Sequence, residues 1–415
     1  MASTTANRLK DFTQNLLSEF PYEIIFKDWV GNEYSVGLGK KHWRNEPLRV
    51  HIKTEYAAKD LLSLNAVRFL ERFLGKEVDM EGNLYLLQLI RYHAKMESLS
   101  LWDTTFSMLS NLSKTFLFQD VSRATKNVKS HYDIPQETLN IYLDRIYMSY
   151  SCGMFENTEY LDAKELTRIG KGKEDKFDSL EKAQWRKFKD AIDFINPSKG
   201  ETLLDIGCGY GGQLIVALEN YPLGKAVGWT SSRNQVIEGR KWLSKFDKST
   251  WELNEGDYRL DKRVFDHVIS IGMISHVGPR GLIPYVKNVR KRIKKGGRYI
   301  HHAIMCPYKK IPLDTEVGVI WSKKYVWPGF HWFTIGEHVK ALEENGFEVL
   351  KVVNLSDHYE KTTAAWYERF MANKDITRKS LGEPTFRAWQ IYLSGMSSGF
   401  GAHDIQVYRV YCKAV

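Results

Sequence analysis

The chain of 415 residues has only four cysteines, Cys152, Cys208, Cys306 and Cys412, scattered with no C-x-x-C pair. That pattern excludes a disulfide framework and a zinc knuckle, and it suits a reducing cytosol. No apolar run reaches the roughly 18 residues that a membrane-spanning helix needs. The N-terminus also lacks the apolar core and cleavage site of a signal peptide. Both absences point to a cytoplasmic protein. Metal-ligand spacing is missing too. His301 and His302 are adjacent with no acidic companion, and neighbouring strand residues point to opposite faces. They cannot clamp one ion, so no metal is expected, and one of the two belongs to core or surface. No nucleic-acid-binding signature accompanies the net charge of +10, and acidic residues interrupt the basic ones. An anionic membrane surface therefore outranks nucleic acid as the partner.

What the chain does have is glycine in one place. Leu203-Leu204-Asp205-Ile206-Gly207-Cys208-Gly209-Tyr210-Gly211-Gly212 is an apolar run ending in glycines. It reads as a buried strand turning sharply into a helix over about 212–219, whose amide dipole faces a ligand. Open α/β sheets hold nucleotide-like cofactors at such a turn. Gly207, Gly209 and Gly212 also satisfy G-x-G-x-x-G, which alone is a weak dinucleotide signal. A dinucleotide site expects an acid about 20 residues on, whereas the second strand ends Gly228-Trp229-Thr230-Ser231-Ser232 without one. Asp205, inside the first strand, suits the charged amine of S-adenosylmethionine. The methyl donor is the better reading.

Strands at 201–206, 225–230, 250–254, 265–271, 297–304, 347–354 and 405–412 alternate with helices, including 179–195, 281–294 and 335–345. This predicts an α/β fold with a seven-stranded, mostly parallel, Rossmann-like methyltransferase sheet over residues 179–415. An aromatic-rich insert at 356–401 breaks the alternation and is expected to cover the substrate. Ahead of it, residues 1–120 read as a smaller α+β domain. An amphipathic helix carries Leu9, Phe12, Leu16, Leu17 and Phe20, strands lie between Tyr22 and Ile52, and helices run over 57–73 and 84–109. The apolar stripe is expected to dock on its own domain, with membrane contact the lesser reading. Residues 121–178 form a connector with a charged excursion at 161–178. The basic run Lys287 to Lys295 reads equally as a solvated helix face or an anionic contact.

Tyr150-Ser151-Cys152, Leu204 to Gly209, Asp257-Tyr258-Arg259, His276-Val277-Gly278-Pro279 and Ala365-Trp366-Tyr367-Glu368-Arg369-Phe370 together resemble the motif series of cyclopropane-fatty-acid synthases and mycolic-acid-type lipid methyltransferases. Val78 to Leu84 resembles the family's N-terminal domain more loosely. The resemblance implies one-carbon transfer from S-adenosylmethionine to the double bond of unsaturated phospholipid acyl chains, by a peripheral protein at the inner face of the membrane that forms a homodimer. The cofactor set then comprises Tyr150, Ser151, Asp205, Gly207, Gly209, Gly211, Thr230, Gln235, Asp257 and Tyr258. Tyr325, Trp327, Phe330 and Trp366 become substrate-pocket aromatics. A bicarbonate base, carried over residue by residue, would sit with Cys152, His302, Ile304 and Tyr359. The family's glutamate is Ser275 here, which cannot supply a carboxylate's charge or reach. Cyclopropane formation and methyl or methylene branching without ring closure both follow as readings. Small-molecule N-methylation on the same scaffold is the other alternative.

Overall fold

The computed structural model describes residues 2–40, 42, 44–93, 134–157, 179–307 and 317–415. The distal part of the helix expected over 84–109, the boundary near 120 and the excursion at 161–178 lie outside the described residues. The N-terminal block opens with α1 (Ala2–Leu16) and continues through β1 (Ile24–Lys27), β2 (Glu33–Val36) and β3 (Leu48–Ile52). Then come α2 (Glu55–Leu62), α3 (Ala66–Leu74), β4 (Val78–Gly82) and α4 (Leu86–His93). Its sheet runs β2-β1-β3-β4. Leu9, Leu17 and Phe20 are buried, so the apolar stripe docks inside its own block.

Two details of this block differ from expectation. The helical pattern over 57–73 is two helices, because Leu64 adopts a positive φ of 56° and Asn65 caps a new start by accepting from the Arg68 N–H. Val78 to Gly82 forms a fourth strand, paired antiparallel with β3. Its alternation of buried Val78 and Met80 with outward Asp79 and Glu81 carries the period of two.

Helix α5 (Gln136–Tyr142) lies within the expected connector, followed by α6 (Leu180–Ile195). The large sheet then builds from β5 (Thr202–Ile206), α7 (Gly212–Asn220), β6 (Lys225–Thr230), α8 (Arg233–Leu243), β7 (Trp251–Glu255) and β8 (His267–Ile271). It continues with α9 (Leu282–Arg292), β9 (Arg298–Met305), α10 (Val317–Tyr325), α11 (Ile335–Glu343) and β10 (Phe347–Asn354). The insert is three helices, α12 (Ser356–Ala372), α13 (Lys374–Leu381) and α14 (Glu383–Gly401), before the closing strand β11 (Gln406–Ala414).

The seven-stranded order is β10-β11-β9-β8-β5-β6-β7. Neighbours pair in parallel except around β11, which is antiparallel to both β10 and β9. Strand β5 is buried on both faces, as a continuous apolar run requires when helices cover each side. Because the strands are parallel, the ends of β5, β6, β8 and β9 open onto one edge, where such sheets bind ligands.

The insert does not stand alone. One hydrophobic cluster runs from Leu9, Phe20 and Phe73 through Trp327 and Ile304 to Trp366, Phe386 and Phe400. Arg387 of α14 stitches the two parts together. It donates to the carbonyls of Phe73 and Val78 at 2.9 and 3.0 Å and pairs with Asp79 at 2.8 Å. The basic run on α9 and just after it also has structural work. Arg290 donates to the carbonyls of Gly346, Ile293 and Val415, Arg292 is buried, and Lys294 pairs with Asp266.

Candidate active site

Strand β5 ends at Ile206, and the turn from Gly207 to Gly211 delivers the chain to α7. The Gly207 and Cys208 N–H groups both donate to the Trp229 carbonyl, at 2.9 and 3.0 Å, so β6 fixes the loop. Gly209 adopts φ +57°, and a Cβ there would meet nothing within 4 Å. The loop thus opens bare backbone onto a cavity of about 220 Å³. Asp205, Gly207, Gly209, Thr230 and Gln235 line it from the sheet edge. Asp257 and Tyr258 line it from the turn after β7, and Tyr150 and Ser151 from the connector. Gly211 does not line it. It is the left-handed N-cap of α7, and a Cβ there would meet Leu243 and Leu253 instead, so its glycine serves the turn.

The connector is held against the loop by a buried polar cluster. Lys187 of α6 donates to the hydroxyls of Ser149 and Ser151 and to the Gln184 side-chain oxygen, which matches three acceptors to its three protons. Gln184 in turn donates to the Ser151 carbonyl at 2.9 Å. Asp144 accepts from the backbone N–H groups of Ile146, Tyr147 and Ser149. Burial pushes the Lys187 ammonium down to about 7, with Asp144 opposing. Burial likewise pushes the Asp205 carboxyl up to about 7 against the pull of Lys187.

The far side of the same cavity is lined by His276, His302, Ile304, Trp327 and Tyr359. Tyr359 stacks on Phe400 with centroids 4.4 Å apart, and Trp327 lies parallel to His276 at 5.6 Å. The adjacent histidines divide as strand geometry demands. His301 faces the core on the other side of β9, bonded to the Tyr299 hydroxyl and to His338, each at 2.8 Å. His302 faces the cavity.

Besides Gly211, five expected site residues lie elsewhere. Cys152 is fully buried, and its thiol donates to the carbonyls of Gly153 and Leu355; burial pushes it up to about 12. Ser275 sits in a short 3-10 turn, 1 % exposed, and its hydroxyl has no partner among the described residues. Neither lines the cavity. Tyr325 turns away and donates to Glu71 of the N-terminal block at 2.8 Å. Phe330 packs on Trp332 at 4.6 Å, and Trp366 stacks behind Tyr150 at 5.0 Å. Phe330 and Trp366 form a layer behind the cavity wall, Phe330 against Trp327 and Trp366 against Tyr150 and Tyr359, whereas Tyr325 serves the contact with the N-terminal block.

A family model described as mycolic acid cyclopropane synthetase matches residues 119–410. The chain belongs to this family. A cyclopropane-fatty-acyl-phospholipid synthase from Escherichia coli is 28% identical over 298 residues, covering 72% of this chain and 70% of that protein. A tuberculostearic acid methyltransferase from Mycobacterium tuberculosis is 26% identical over 293 residues, covering 69% and 64% respectively. Among solved structures, a mycolic acid cyclopropane synthase complexed with SAH and CTAB superimposes with a TM-score of 0.62 at 23% identity. It covers 70% of this chain and 98% of that one. As a member of this family, the protein is an S-adenosylmethionine-dependent methyltransferase.

The residues present fit that cofactor. The open side of Gly209 is a cradle a side chain would fill, and β6 ends in Thr230 hydrogen-bonded to Gln235, with no carboxylate of the dinucleotide kind. They fit bicarbonate less well. His302, Ile304 and Tyr359 share the cavity, but Cys152 and Ser275 do not reach it.

Sequence reasoning missed Lys187, Gln184, Asp144 and Arg409. The first two had a visible signal: they fall on the buried stripe of α6 with Leu180, Ala183, Phe188 and Ala191, where a polar residue needs a partner. Arg409 had the same one, lying between buried Val407 and Val410 on β11.

Proposed function

We propose that this enzyme transfers a one-carbon unit to the double bond of an unsaturated phospholipid acyl chain at an anionic membrane surface. The observation that supports this reading is that the opening above Gly209 and the aromatic wall of Trp327 and Tyr359 belong to one cavity. When bound, S-adenosylmethionine supplies an electrophilic methyl group; the chain supplies the surroundings. Trp327 and Tyr359 are buried, backed by Phe330, Trp332 and Trp366, and this wall excludes water from a cation developing on the acyl chain. Their ring faces offer the π density that such a cation favours. The small-molecule amine reading gains nothing here, since a net charge of +10 repels cationic substrates.

Ring closure to a cyclopropane needs a base for one proton of the transferred methyl. A branched product needs no base at that place. After a 1,2-hydride shift the cation loses a proton from the new methyl to leave a methylene branch, or it loses one from a neighbouring chain carbon to leave a methyl branch on a double bond. One observation favours branching: the position where the resemblance puts a glutamate is a buried serine outside the cavity. The test is to incubate the protein with unsaturated phospholipid vesicles and methyl-labelled donor, with and without bicarbonate, and take proton spectra of the lipids. Upfield ring protons mark cyclopropane, vinylidene protons a methylene branch, and a methyl signal on a double bond a methyl branch. Absence of labelled carbon from the lipid would refute both products.

A further inference from the structure

We infer that Arg409 is a positioning residue that locks His302 in the tautomer carrying its proton on Nε2, so that His302 offers the cavity a hydrogen-bond donor and not a base. The inference rests on the methyltransferase cavity described above and assigns a role to one of its walls. It begins with register. Arg409 of β11 and His302 of β9 are directly paired across the sheet, so their side chains lie on the same face. There the Arg409 Nε–H donates to His302 Nδ1 at 3.4 Å.

A guanidinium has five N–H donors, no acceptor and a permanent charge, so the group it meets must present a lone pair. Nδ1 therefore carries no proton. Arg409 cannot turn aside, because it is 0 % exposed and another arm donates to the Lys187 carbonyl at 3.0 Å and to Asp190. Burial, Arg409 and Lys187 together hold the imidazole well below its ordinary value, so it is neutral. A neutral ring bare at Nδ1 bears its one proton on Nε2. That atom is buried, in a residue 2 % exposed that lines the cavity, and has no partner among the described residues. The complement of such a donor is an oxygen lone pair, as on an oxyanion or carbonyl. The group that takes a proton in this pocket is consequently something other than His302.

The experiment is nitrogen spectroscopy of the full chain with labelled histidine, the His302 signals being assigned by their loss in His302→Gln. Nδ1 unprotonated and Nε2 protonated in the wild type, from pH 6 to 8, is the expected result. Nδ1 protonated in the wild type would overturn the inference, whatever the activity. Arg409→Met should shift the tautomer ratio toward Nδ1–H by about tenfold, the weight of one charged hydrogen bond. Arg409→Lys, which can still donate, should restore it. An Arg409→Met protein that binds S-adenosylmethionine normally yet keeps the wild-type tautomer would also overturn the inference. If that variant does not fold, the wild-type spectrum decides alone. Methyl transfer to lipid plays no part in these readouts, so failure of the substrate reading would leave them intact.

Discussion

Replacing Gly209 with alanine separates the two jobs a glycine can do in this loop. The backbone there sits at φ +57°, and an added Cβ meets no atom of the protein within 4 Å. The stability cost is then only that of placing an L-residue in the left-handed region, about 1–2 kcal/mol. The new methyl points into the cavity, where it takes space needed by the cofactor. An affinity loss of about tenfold to a hundredfold is expected, or about 1.4–2.8 kcal/mol. Gly224→Ala is the control. Its Cβ would fall 2.3 Å from the Gly200 carbonyl oxygen, at the opposite edge of the sheet. Overpacking should cost about 1–3 kcal/mol there while leaving the cofactor site alone. Thermal melts and calorimetric titration with S-adenosylmethionine read both quantities. The expected pattern is two destabilised proteins, of which only Gly209→Ala binds weakly. Unchanged cofactor affinity in Gly209→Ala would refute the assignment of the loop.

Three further outcomes are expected. Stability should fall as pH drops from 7 to 5, because burial holds His276 and His301 at about 4 while the unfolded chain titrates near 6.5. His42, held at about 3, and His302 and His338, held well below their ordinary value, act the same way. The unfolded state binds more protons across that window, costing about 2 kcal/mol for each of these five histidines. Asp205, raised to about 7, takes up a proton in the folded state and returns about 2 kcal/mol. Lys187, lowered to about 7, returns nothing, because the unfolded lysine keeps its proton throughout; urea midpoints that stay level or rise would contradict this. Arg387→Ala should cost about 1–3 kcal/mol in urea unfolding, since two carbonyls and Asp79 lose a partly buried charged donor, and a loss under about 0.5 kcal/mol would mean the tie is unimportant. Cosedimentation with anionic vesicles should be strong at low salt and weaken as salt rises, and salt-independent binding would remove the basic surface from the account.

The large sheet was legible because its strands announce themselves. Leu203 to Ile206 and the run ending at Thr230 are short, apolar and bounded by turn signals, and they fall within a residue or so of β5 and β6. The break at Leu64 was not legible. Leucine is a good helix former, yet the chain reverses there at a positive φ so that α2 and α3 pack on each other and on the N-terminal sheet. The aromatics divided for a related reason. Composition marks Tyr325, Phe330 and Trp366 as pocket material as readily as Trp327. Tyr325 lies on α10, Trp327 and Phe330 just after it and Trp366 on α12, so which ring reaches the cavity depends on how these separate segments pack on one another.

By itself, then, the order of residues determined the α/β sheet, the loop that opens at Gly209 and the family of motifs along it. These follow from local rules: the period of a strand, the freedom of glycine, the cap of a helix. The tertiary structure alone decided that Lys187 and Gln184 brace the Tyr150–Cys152 segment, that Ser275 and Cys152 stand back from the cavity, and that Arg409 faces His302. Each joins residues far apart in the chain, as Arg409 and His302 are, 107 positions apart. Contact at that separation is set by sheet register and burial, which no local pattern encodes.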